Sequence, residues 1–86
     1  VMKALALELA PHSIRSNAVV SVRPISEAAD SWVKQRTPLG RSAKAREIAD
    51  SAFFLASEKS NFMTGQSLRL DGGRSLLNGI IKDIDE

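Results

Sequence analysis

Eighty-six residues set an upper bound of one small domain, and a chain of that size buries only about 60% to 65% of its extended surface, which leaves a thin core. With no Cys and His12 as the single His, neither a disulfide framework nor a thiolate or histidine metal site can be built. No run approaches 18 consecutive apolar residues and no basic segment leads into an apolar one, so the chain reads as soluble and cytoplasmic, with no membrane span or signal peptide. The net charge of +2 is uneven, with seven basic residues from Arg15 to Arg46 against Glu27 and Asp30. No aromatic interleaving accompanies them, so they read as a solvated face rather than a nucleic-acid surface.

The chain opens at Val1, without an initiator Met and inside a helical pattern, so it is expected to be the end of something longer. Strong helix formers run from Val1 to Ala10, where Pro11 ends the pattern. Only Lys3 and Glu8 are polar there, so this helix is expected to be covered on two sides, by a missing sheet or a partner subunit. His12 and Ser13 connect it to a strand from Ile14 to Val22 whose AVV centre is apolar on both faces, as in a buried parallel sheet. Asn17 inside that strand needs hydrogen-bond partners if buried.

Arg23-Pro24 ends the strand, since Pro24 has no N–H for a ladder. Ser26 is the expected N-cap of a short helix through about Gln35 that carries Trp32 and Val33. Thr37-Pro38-Leu39-Gly40 is a turn. The helix from about Ala43 to Ser57 gathers Ala45, Ile48, Ala49, Ala52, Phe53, Leu55 and Ala56 on one face and is expected to pack on a sheet. A Thr64-Gly65 turn then leads into a strand over Gln66 to Leu70 with Leu68 and Leu70 on one side, and Asp71-Gly72-Gly73 breaks it. Residues 74–86 read as a flexible tail ending in Asp83, Asp85 and Glu86.

Strand, helix, strand in that order is the grammar of a nucleotide-binding α/β sheet. The segments LALELAPHSIRSNAV, PLGR, EIADSAFFLAS and TGQSLRLDGG, in that order and spacing, resemble the C-terminal end of a short-chain dehydrogenase/reductase over Val1 to about Gly73. The resemblance implies an α/β fold, the C-terminal part of a Rossmann-type doubly wound parallel sheet, incomplete as a domain, with residues 1–86 as one fragment of it. It implies NAD or NADP as cofactor, a small carbonyl or alcohol substrate, and a homo-oligomer or a missing N-terminal half as partner.

The family's Tyr-x-x-x-Lys and Gly-rich phosphate turn have no counterpart here, because there is no Tyr and none of the five glycines follows a first strand and opens a helix. Lys3 falls inside the helix that follows the family's catalytic motif and reads as a surface charge. The family segment NAVxPGxIxT, which holds the nicotinamide carboxamide, is matched by NAVVSVRPIS. Ungapped, its Pro, Gly, Ile and Thr become Ser21, Val22, Pro24 and Ser26, the candidate cofactor-binding residues; a one-residue shift would instead bring Ile25 to the Ile position.

Ser26 keeps a hydroxyl, whereas Val22 adds a β-branched side chain and Pro24 removes an N–H. No catalytic residue is identified. His12 reads as an exposed loop residue, and Trp32 reads either as part of a substrate cover or as an apolar anchor. Two functions follow. One is part of an oxidoreductase that interconverts alcohols and carbonyls and is inactive alone; the other is a non-catalytic relic serving as an interaction module. A weaker third reading makes the basic middle a surface for an acidic carrier.

Overall fold

The computed structural model describes residues 1–21, 24 and 26–77. The elements follow the expected order: α1 (Met2–Leu9), β1 (Ala18–Ser21), α2 (Glu27–Gln35), α3 (Ala45–Ala56) and β2 (Ser67–Leu70), with short 3-10 turns at Ala10–His12 and Glu58–Ser60. The two strands pair. They run parallel, because the partners that join them advance together along both segments: Gly65 N–H to the Ser16 carbonyl, Ala18 N–H to the Gln66 carbonyl, and Ser21 Oγ to the Leu70 carbonyl. The chain is α/β.

Contacts divide the chain into two compact units, Val1–Val20 with Ala45–Arg69, and Ser21–Lys44 with Leu70–Glu86. In the first, the α-helix ends at Leu9, ahead of Pro11 as expected, and Pro11 sits at the start of a 3-10 turn, where its missing N–H costs nothing. Ser13 then takes a left-handed conformation (φ 60°) and Ile14 N–H returns to the Leu9 carbonyl at 3.3 Å, closing the helix end. Ala6 is the buried residue of α1, facing the turn at Gly65, where an added Cβ would lie 3.5 Å from its own.

The strand expected from Ile14 begins four residues later. Arg15, Ser16 and Asn17 are committed to the segment 55–66 instead. Ser16 N–H donates to Thr64 Oγ1 and its hydroxyl to the Met2 carbonyl. Asn17 has the partners its position demanded, donating to the Met63 carbonyl at 3.0 Å and accepting from Gln66 N–H at 3.0 Å. Arg15 reaches the end of α3, where its guanidinium meets the carbonyls of Leu55, Ser57, Ser60 and Met63.

The apolar face of α3 departs from expectation. None of its residues is buried, and Phe53 is 77% exposed. Rather than close packing on the sheet, a groove of about 760 Å³ lies between α3 and β1, lined by Ile14, Arg15, Asn17, Val19, Ala52 and Leu55. The outward side of α1 is likewise open, with Leu7 80% exposed. Among the described residues no helix is long and apolar enough to cross a membrane.

Candidate functional site at the start of the second helix

The second unit contains the loop after β1, helix α2, the turn at 37–40 and the turn at 71–73. Ser21 ends β1, and its hydroxyl donates to the Leu70 carbonyl at 3.0 Å, tying the loop entrance to the end of β2. Pro24 is half-buried. Val22 and Ile25 lie outside the described residues. Ser26 holds extended backbone (φ −153°, ψ 164°), and its Oγ accepts the Ala29 N–H at 3.1 Å, capping α2 as its sequence position suggested. A hydroxyl that accepts this bond still has its proton to donate. Of the four candidate residues, Ser26 is the described one whose side chain retains a free donor.

Glu27 and Asp30 occupy the first turn of α2, where the helix dipole favours negative charge. Asp30 accepts a hydrogen bond from the Ser42 hydroxyl and pairs with Lys34 at 3.1 Å. These two partners, the hydroxyl first, hold its carboxyl below its ordinary value of 3.8. Lys34 is thereby removed from the basic stretch as a free charge, and Arg15 is spent on carbonyls in the first unit.

Trp32 is half exposed and lies under two guanidinium groups, with Arg36 Cζ 4.4 Å and Arg74 Cζ 4.6 Å from the ring centroid. Arg36 stands four residues on from Trp32, a helical spacing that the sequence displays. Arg74 carried no such signal. It arrives through the turn at 71–73. There Asp71 accepts the Gly73 and Ser75 N–H groups, each at 3.0 Å, and starts a helical turn over residues 74–77. The tail expected from residue 74 thus begins as helix, and residues 78–86 lie outside the described residues.

The turns at 37–40 and 71–73 build one another. Leu39 N–H donates to the Gly72 carbonyl at 3.1 Å, Gly40 N–H returns to the Thr37 carbonyl at 2.7 Å, and the buried Thr37 hydroxyl donates to the Val33 carbonyl at 2.6 Å. Gly72 is required at that contact, since a Cβ there would lie 2.6 Å from Thr37 Cγ2. His12 and Lys3 are exposed and belong to the first unit. Among the described residues no cluster suits a metal ion. Among its described residues the site offers hydroxyl and guanidinium donors and the carboxylates of Glu27 and Asp30.

A family model described as enoyl-(acyl carrier protein) reductase matches residues 1–75. A short-chain dehydrogenase of Hypocrea virens is 42% identical over 88% of this chain and 34% of its own length. The trans-4-hydroxycyclohexanecarboxylate dehydrogenase of Sinomonas cyclohexanicum is 41% identical over 94% of this chain and 32% of its own. Among solved structures, a short-chain dehydrogenase of Leptospira borgpetersenii with bound NAD+ superposes with a TM-score of 0.76 at 34% identity, covering 86% of this chain and 30% of that one. The chain spans about a third of the length of these relatives.

Proposed function

The chain belongs to the short-chain dehydrogenase/reductase family of oxidoreductases, and from that premise we propose that it supplies the nicotinamide loop and substrate cover of an NAD(P)-dependent enzyme acting on an alcohol or carbonyl. The observation that carries this reading is the junction at Ser26. Its Oγ caps α2 through Ala29 N–H while its proton stays available, at the position where the family presents a Thr hydroxyl to the carboxamide.

Ser21, Val22, Pro24 and Ser26 are the residues proposed to meet the cofactor, which when bound supplies the hydride chemistry. Of these, the Ser26 hydroxyl fits a carboxamide. Ser21 has turned its hydroxyl to the Leu70 carbonyl, and Pro24 offers no N–H. The proposed role of this chain is therefore to orient the nicotinamide with fewer contacts than the family pattern provides. The family assigns proton transfer to a Tyr, and none of these 86 residues is a Tyr.

The 86-residue chain alone is expected to leave NADH and NADPH unoxidised in the presence of a cyclic ketone, matching a heat-treated control. Turnover above that control would overturn the assignment of roles.

A second reading, a non-catalytic interaction module, draws on the exposed Leu7, Phe53 and Phe62 and on the groove between α3 and β1. It expects concentration-dependent association in sedimentation velocity, and a monodisperse, cooperatively melting monomer would count against it. In either case the proposed assembly is with further copies or with the rest of the same α/β sheet, in the cytoplasm.

A further inference from the structure

We propose that Trp32, Arg36 and Arg74 form a recognition site for the carboxylate of a small organic acid; that such an acid is the substrate rests on the oxidoreductase reading. Both guanidinium groups lie over the indole, at 4.4 and 4.6 Å from its centroid. Stacking occupies the flat face of a guanidinium and leaves its in-plane N–H donors unspent. Among the described residues neither Arg36 nor Arg74 pairs with a carboxylate. The nearby acids are engaged elsewhere: Asp30 with Ser42 and Lys34, and both oxygens of Asp71 with backbone N–H groups.

The two arginines come from separate segments, Arg36 as the residue that caps the end of α2 and Arg74 just after the turn that Asp71 organises. Both are permanently charged, and an oxygen pair at the rim of the ring would take parallel N–H bonds from a fork that matches its geometry. The indole itself remains 46% exposed. An apolar surface beside two unpaired guanidinium groups complements a molecule with a hydrocarbon body and an anionic end, which distinguishes an organic acid from inorganic phosphate.

Trp32 is the only Trp in the sequence, so its emission reports the site directly and without any assay of turnover. The full 86-residue chain would be titrated at low salt with sodium cyclohexanecarboxylate, its neutral carboxamide, and inorganic phosphate. A saturable change with the carboxylate is expected, with the carboxamide and phosphate each weaker by about fivefold or more, as loss of a bidentate charged contact or of the apolar contact implies. Arg36→Gln and Arg74→Gln should each weaken carboxylate binding by about fivefold or more, and Arg74→Lys, which keeps the charge without the fork, should recover less than half of the loss. Equal responses to carboxylate and carboxamide would overturn the proposal. So would phosphate binding as tight as the acid, indifference to both Gln substitutions, or no response to the acid. Failure of the oxidoreductase reading would leave this binding intact, which separates the two.

Discussion

Arg15 directs its guanidinium to the carbonyls of Leu55, Ser57, Ser60 and Met63 at 3.0, 3.3, 2.9 and 3.2 Å, and to Ser60 Oγ at 3.0 Å. Leu55, in the last turn of α3, offers a carbonyl that Arg15 shares with the Ser60 hydroxyl, and there a cation also meets the negative end of the helix dipole. Replacing it by Met keeps the bulk and strips the donors, which should cost about 2 kcal/mol, the scale of charged hydrogen bonds lost from a half-buried site. Urea unfolding of Arg15→Met checks this, and Arg15→Lys should restore less than half, because one ammonium cannot span five acceptors. Ser26→Ala should cost about 1 kcal/mol through loss of the α2 cap, while Ser26→Thr should leave helix stability near that of the parent. Asp30 adds a pH dependence. Its folded-state carboxyl is held below 3.8, so its contribution is complete above that value and is lost as pH falls through the lower folded value. Helical circular dichroism is expected to fall in that acid range, and Asp30→Asn should remove this component.

At the scale of elements, α1, α2, α3 and β2 stood in the sequence within a residue or two, because each is written in a periodicity or a cap: Ser26 before α2, Leu68 and Leu70 alternating in β2. β1 was read too long. Its pattern from Ile14 is strand-like, yet Arg15, Ser16 and Asn17 find better partners in the 55–66 segment than a ladder would provide. Such long-range pairings leave no local signature. The same holds for Arg74 over Trp32, whereas Ser26 and the helical spacing of Trp32 and Arg36 were visible. The two turns also rank glycines by physics. Gly40 (φ 74°) has open space around it, so Gly40→Ala should cost about 1 kcal/mol of backbone strain. Gly72 (φ 60°) would add a 2.6 Å clash with Thr37 to the same strain, so Gly72→Ala should cost about 2 kcal/mol or more. Thermal melts of the two variants should fall in that order.

At the scale of the molecule, the buried apolar core among the described residues is Ala6 and Val33, while Leu7, Phe53 and Phe62 stand in solvent. Apolar positions on α1 and α3 were legible as helix faces that seek a cover. Among the described residues that cover is absent, and the relatives it matches are about three times as long. The proposed function makes the chain one part of a dehydrogenase site, with a nicotinamide loop expected to grip less than the family pattern. The most direct measurement is NAD+ affinity, by isothermal titration, of a chimera in which residues 1–77 replace the matching segment of the Leptospira borgpetersenii dehydrogenase. The expected result is a folded chimera that binds NAD+ more weakly than its parent and regains affinity by about tenfold, or about 1.4 kcal/mol, when Val22→Gly and Pro24→Ile are introduced together. A folded chimera that binds as tightly as its parent, or one whose affinity the paired substitutions leave unchanged, would contradict it.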